Sequence, residues 1–307
     1  LEGQWFDDIV FYGADADAIE AAAALLGSRA TFCLVLGGER IGRKVNLDIG
    51  RVHYDFIRFV GTTGSDPADG YAWVPATGEL RAGDKVAIIG AAGPMGTMHT
   101  IRAVTSGVEG ISVTGTDVST DRLRHLAAIV DPIAEARGVP FTYINSAETQ
   151  LQPGYTHLSC MVPVPALVSQ AVDLAADGAI LNAFAGIPAG TTGEFDLQGI
   201  VERRIFMLGT SGSDVSDMRT VLRKIEEGII DTHISLDAVT GMAGFRDAID
   251  SVINRTSGGK IMVYPRLHDL PLTRLVDMPE KLPHVAAKLN NGIWTKEAEQ
   301  ALLQTAG

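Results

Sequence analysis

The chain has 307 residues, enough for about two domains of ordinary size. Hydrophobic residues make up 46% and the net charge is 25 − 37 = −12, which excludes wholesale disorder and disfavours a general role in binding nucleic acid. Two cysteines, Cys33 and Cys160, exclude a disulfide scaffold and a four-cysteine zinc site; both stand in apolar runs and read as core. No apolar run approaches the ~20 residues of a membrane span. Asp7 and Asp8 interrupt any signal peptide at the start, so the expectation is a cytoplasmic protein without a membrane partner.

In chain order, DIVFYG (8–13) is a short apolar strand and DADAIEAAAALLGSR (15–29) an Ala- and Leu-rich helix with Asp at its start. TFCLVLGG (31–38) and IRFVGTTG (57–64) read as buried strands. KVAIIG (85–90) is another, followed by a glycine turn and helix over 91–107, a strand over 110–117, a helix over 118–138 and a short strand over 141–145. The pattern then continues with HLSCMV (157–162), PALVSQAVDLAA (165–176), AILNAFAG (179–186) and IFMLGTSG (205–212). Apolar strands alternating with helices predict a parallel sheet covered on both faces. Over 85–212 they predict a doubly wound α/β sheet of Rossmann type, with strand order 3-2-1-4-5-6. Beyond residue 213 the sequence predicts helices over 214–228, 236–254, 284–292 and 295–306, the last capped by Thr295, and a strand over 259–265.

The chain also matches itself at an offset of 148. Residues 47–69 laid on 195–217 give 8 identities in 23 positions, among them Asp48/Asp196, Gly61/Gly209, Thr62/Thr210, Gly64/Gly212 and Asp66/Asp214. Upstream, Ala18/Ala166, Leu26/Leu174, Gly38/Gly186 and Gly42/Gly190 also agree. Residues 8–70 therefore read as a second copy of 156–218, a duplicated half-Rossmann unit. The expected organisation is a half-unit over 1–76, a complete nucleotide-binding domain over 77–218, and a tail over 219–307 that packs on it.

The strongest local motif is the turn Gly90-Ala91-Ala92-Gly93-Pro94-Met95-Gly96, which leaves a strand and opens a helix. Glycine lets the backbone approach a pyrophosphate, and free N–H groups at the helix start bind its charge. Asp117 ends the next strand, 27 residues after Gly90, where a carboxylate can accept hydrogen bonds from a ribose diol. At the ends of the later strands stand Val162 and Pro163, then Ala185, Gly186 and Ile187, then Thr210 and Ser211, which would line the same crevice.

The runs VAIIGAAGPMG, VTGTDVSTDRL, GAILNAFAGIP, RRIFMLGTSGS and GKIMVYP resemble the medium-chain dehydrogenase/reductase superfamily. The resemblance is nearest to the polyol and sugar-phosphate branch, particularly sorbose-1-phosphate reductase-like proteins, and covers about 84–265. It implies a nicotinamide cofactor, with NAD favoured over NADP because Asp117 would repel a 2′-phosphate. It also implies an alcohol or sugar-phosphate substrate and, in many members, a catalytic zinc. This sequence lacks the zinc-bearing lobe of that family. Its seven histidines are scattered, His99 reads as a packing residue, and neither a catalytic residue nor a metal ligand is assigned.

The expectation is thus a cofactor-binding portion that holds no zinc and does not turn over substrate alone. Two second halves of a sheet face only one first half. The missing half would lie upstream of Leu1, come from another chain, or be replaced by the two halves joining. The absent initiator Met fits an N-terminally truncated form of a longer protein. A non-catalytic NAD(P)-binding or pseudo-dimeric assembly module is the alternative. A methyltransferase-like sheet is disfavoured by the GTSGSD repeat and the GKIMVYP tail. Strands 57–61 and 205–209 are expected to pair antiparallel within the chain, about an approximate twofold axis, giving one sheet of roughly nine strands, an intramolecular pseudo-dimer; a homo-oligomer through the edge strands is the other expectation.

Overall fold

The computed structural model describes residues 3–209, 211–254 and 256–304. The N-terminal part comprises β1 (Phe6–Tyr12), α1 (Ala16–Ala23), β2 (Leu26–Val35), β3 (Val45–Asp48), α2 (Ile49–Tyr54), β4 (Arg58–Thr62) and α3 (Pro67–Ala72). Strands β1, β2 and β4 form a three-stranded parallel sheet in the order β1-β2-β4. Ile9 and Phe11 of β1 turn inward, and Phe11, Phe32 and Phe59 lie in a row with centroids 5.9 and 6.0 Å apart. Asp15 caps α1 by accepting from the Ala18 N–H at 2.8 Å. The helix expected over 15–29 is shorter than its composition suggests. Leu26 is wholly buried and pairs with Phe6, so tertiary packing overrides the helix propensity of the run.

The middle of the chain comprises β5 (Lys85–Ile89), α4 (Pro94–Val104), β6 (Ser112–Asp117), α5 (Thr120–Arg137), β7 (Phe141–Asn145), β8 (Tyr155–Cys160), α6 (Pro165–Leu174), β9 (Ala175–Asn182), β10 (Thr192–Phe195), α7 (Leu197–Glu202) and β11 (Phe206–Leu208). Its six-stranded sheet runs β7-β6-β5-β8-β9-β11, every pair parallel. This is the doubly wound order expected from the sequence.

The two parts join through elements the sequence reading missed. Strands β3 and β10 form an antiparallel ladder, with Val45 opposite Phe195, Asn46 opposite Glu194, Leu47 opposite Gly193 and Asp48 opposite Thr192. Since 46 + 148 = 194, the central pair joins two residues in equal places of the sequence match. Val45 and Leu47 exchange partners about that centre, as a twofold arrangement requires. Asp48 and Asp196 cap α2 and α7, accepting from Arg51 N at 3.3 Å and Gly199 N at 2.8 Å. Phe56 and Arg204, also 148 apart, both adopt left-handed backbone, φ 57° and 55°. Beneath the ladder one core runs across both sheets, holding Phe32, Leu47 and Ile49 together with Leu158, Phe195 and Met207.

The expected nine-stranded sheet does not form. Strands β4 and β11 belong to separate sheets of three and six strands. Side chains and helices occupy the space a ladder would need. The Arg58 guanidinium lies 5.6 Å from the Phe206 ring centre. Gly61 abuts Val201 of α7, and Gly209 abuts the backbone of Val52 and His53 in α2, so each short helix lies against the edge strand of the other unit.

The tail begins with α8 (Val215–Glu226), capped by Asp214 with a capping box. The single helix expected over 236–254 is instead β12 (Leu236–Thr240), a turn, and α9 (Phe245–Ile253). Gly241 and Gly244 break it: each sits so close to the 267–272 backbone that a side chain has no room. Strand β13 (Lys260–Val263) pairs parallel with β12, and Thr273–Arg274 pairs antiparallel on its other side. The helix expected over 284–292 is only Pro283–Ala286. Thr295 caps the last helix, Lys296–Leu303, as expected, accepting from Ala298 N at 3.0 Å. Met278, Val285 and Trp294 form a separate small core with Val239 of β12.

These close approaches give a stability test. A Cβ at position 209 would collide with the Val52 carbonyl oxygen, whereas at Gly93 it would meet only an ordinary contact at 3.7 Å. Gly209→Ala should destabilise the protein by about 1–3 kcal/mol in urea unfolding, and Gly93→Ala by much less.

Candidate functional site

Strand β5 delivers the chain into the turn at Gly90, where φ is 82° and a side chain would strike Val162. The N–H groups of Gly90 and Ala91 both donate to Thr116 O, at 2.9 and 2.7 Å, fastening the turn to the end of β6. Gly96 lies so close to Gly90 O and Ala91 that no other residue fits there. Pro94 begins α4, and Gly93 caps it without a side chain, leaving the first-turn N–H groups for an incoming anion.

Asp117 stands at the end of β6, only 7% exposed. Its Oδ1 accepts from Ser119 N at 3.0 Å and pairs with the Arg122 guanidinium. Arg122 was not singled out from the sequence; the signal was a basic residue in the first turn of the helix after the acid. Val162 lies against Gly90, and Ala185 N donates to Cys160 O at 2.9 Å, so the segments after β8 and β9 meet beside the glycine turn. Ile187 N turns back to Ala185 O at 2.8 Å. Gly186 faces the Tyr54 hydroxyl, where a Cβ would stand 2.9 Å from the oxygen. Pro163 follows Val162, and Ser211 lies past the end of β11. Thr210 lies outside the described residues. A cavity of about 230 Å³ reaches the start of α4, lined by Pro94 and Thr97 on one side and by Asp237, Gly258 and Val276 of the tail on the other. Asp237 is held there by Ser257 Oγ at 3.2 Å, Gly258 N at 3.1 Å and Arg274 at 3.5 Å.

Three histidines lie close by. His99 of α4 packs edge-on against Phe184, centroids 4.5 Å apart, and Phe184 also meets His53, whose Nδ1 is 3.2 Å from Ala183 O. His157 on β8 has Nε2 3.2 Å from Gly78 O and a buried Nδ1 without a partner among the described residues. Burial pushes the Cys160 thiol up to about 12 and raises Cys33 as well, so neither is a nucleophile. Among the described residues no three His, Cys, Asp or Glu side chains gather closely enough to hold a metal ion. These residues therefore do not fit the zinc that the family resemblance implies.

Burial holds the His99 imidazole down at about 4, with Arg102 and His157 adding repulsion. Burial also lowers His53 and His157. Unfolded, each takes a proton near the ordinary value of about 6.5. Stability is therefore complete above that pH and lost as pH falls below it, with His99 contributing up to about 3 kcal/mol by pH 4. Urea midpoints measured between pH 7.5 and 4.5 should fall steadily, and His99→Gln should flatten that decline.

No family model matches the chain. It is 28% identical over 250 residues to mannitol-1-phosphate 5-dehydrogenase of Aliivibrio fischeri, covering 73% of this chain and 57% of that protein. It is 27% identical over 252 residues to the uncharacterized protein YggP of Escherichia coli, covering 74% and 58%. A putative zinc-binding dehydrogenase from Sinorhizobium meliloti, solved with NADP, aligns with a TM-score of 0.49 at 18% identity, covering 61% and 54%. The chain spans rather more than half the length of the curated relatives it matches. The likeness to a sugar-phosphate dehydrogenase carried by its motifs is thus met by a curated relative of that activity.

Proposed function

We propose that residues 77–218 bind a nicotinamide dinucleotide, and that the chain is the cofactor-binding portion of a dehydrogenase acting on an alcohol or sugar phosphate. The observation that carries this reading is the Gly90–Gly96 turn, fastened to β6, with Asp117 at that strand's end. The pyrophosphate lies over Ala92, Gly93, Pro94, Met95 and Gly96, where the N–H groups of α4 meet its charge. The Asp117 carboxylate accepts from the adenosine ribose diol. Val162, Pro163, Ala185, Gly186, Ile187, Thr210 and Ser211 form the nicotinamide end, where the apolar Val162, Ala185 and Ile187 position a ring. When bound, the cofactor supplies hydride transfer to or from the substrate carbon. Residues 1–76 form a duplicated half-unit and 219–307 a tail that walls the start of α4.

NAD is the cofactor in this reading. Arg122 already neutralises part of Asp117, but the carboxylate still stands where a 2′-phosphate would come. Turnover needs an electrophile that holds the alkoxide, and among the described residues no group of His, Cys, Asp or Glu gathers to hold a metal ion for that role. The β3–β10 ladder supports the second reading, an internal pseudo-dimer that binds cofactor without catalysis.

Calorimetry separates these claims. NAD should bind more tightly than NADP, and Asp117→Ala should weaken NAD about tenfold while affecting NADP less. Gly96→Ala should remove both. Binding of neither dinucleotide would end the dehydrogenase reading, and tighter NADP would end the NAD assignment alone. Polyol or polyol-phosphate oxidation by this chain, with stoichiometric zinc by metal analysis, would overturn the expectation of inactivity.

A further inference from the structure

The N-terminal sheet has a cavity of its own. It opens at the C-terminal end of β4, measures about 640 Å³, and lies against the unit formed by α7. Its polar lining comes from Thr62, Thr63, Asp69, Glu202 and Arg204, with Trp73 as the aromatic wall. The Trp73 indole is fixed by its N–H donating to Gly61 O at 2.9 Å. Thr62 Oγ1 is occupied by Gly64 N at 3.0 Å, and Glu202 by Arg40 at 3.4 Å and Gln198 at 2.6 Å. The side chains of Asp69 and Arg204 have no hydrogen bond or ion pair among the described residues. An acceptor and a donor thus face one cavity, both exposed and solvated, and not paired with each other.

The 148-residue relation says what kind of ligand suits this place. Stepping by that offset carries the β4 end onto the region after β11, and carries Val201, Glu202 and Arg204 onto His53, Tyr54 and Phe56. At the latter corner Tyr54 meets Gly186 and His53 packs edge-on with Phe184, beside the candidate nicotinamide end. Here those rings are replaced by an aliphatic group, a carboxylate and a guanidinium. This corner therefore presents a carboxylate and a guanidinium where its counterpart presents rings. Unbalanced charge would not favour an anion, because Asp69 and Glu202 border the same space.

We propose that this cavity binds an uncharged polyhydroxylated molecule, a polyol or sugar. Its hydroxyls donate to Asp69 and accept from Arg204, and its C–H face packs on Trp73 beside Ala72 and Val201. The volume falls within the range of small-molecule sites. The site is separate from the glycine turn, so it does not depend on the dehydrogenase reading.

The test is titration of the full chain with sorbitol, followed by tryptophan fluorescence. A saturable change in the millimolar range is expected, absent in Trp73→Phe. Asp69→Asn keeps the side-chain shape, and Arg204→Asn suits the left-handed backbone at that residue. Each should weaken sorbitol at least tenfold and leave the NAD titration unchanged. A linear, unsaturable response would overturn the proposal. So would saturable binding that both variants retain, tighter binding of serine or inorganic phosphate, or loss of sorbitol binding in Gly96→Ala with Asp69→Asn unaffected.

Discussion

The antiparallel ladder between β3 and β10, with the core beneath it, decides whether the N-terminal sheet can exist. Three parallel strands with three short helices bury too little apolar surface to fold alone. Here the inward faces of β1, β2 and β4 close onto the same core as β8, β9 and β11. The ladder fixes the register of that contact through four residue pairs, and its centre at Asn46 and Glu194 places equal residues opposite each other. Slipping it by one residue would turn Val45, Leu47 and Phe195 away from the core together.

The same contact shapes both candidate sites. It seats α2 against Gly209 and α7 against Gly61, so each unit presents a short helix at the strand ends of the other. Tyr54 reaches Gly186 in one direction, and Glu202 reaches the β4 cavity in the other. A wall contributed by a neighbouring unit is rigid only if the contact between units is rigid. The capping carboxylates of Asp48 and Asp196 serve that end by fixing where α2 and α7 begin, directly after the ladder strands.

Much of this was legible in the sequence, for identifiable reasons. Near-continuous apolar runs such as VAIIG and AILNAFAG, alternating with helices, read as buried parallel strands, and the doubly wound pattern then gives their order. The glycine turn was legible because each of Gly90 and Gly96 is required by a close backbone approach. Elements shorter than about two helical turns were not. The ladder strands carry two inward residues each, too few to establish a period, although Asp48 and Asp196 stood identical in the repeat as caps awaiting helices. The helix expected over 236–254 failed because its strand half, LDAVT, is separated from the helical half only by Gly241 and Gly244. Arg122 was invisible as a partner of Asp117 because helix geometry, not adjacency, brings it back over the strand end.

The two corners related by the 148-residue offset share a backbone frame and differ in the side chains they present. The residues held in common are those that build backbone: the cap carboxylates, the close-approach glycines and the left-handed positions at 56 and 204. The residues that differ are side chains facing the cavities. His53 and Tyr54 offer ring faces and edges, which suit stacking and exclude water; Glu202 and Arg204 offer charge and hydrogen bonds in a wetter space. Conserving the frame costs each corner nothing, because the frame is the contact that both units need to fold. Changing these side chains is then enough to give the two corners different chemistry.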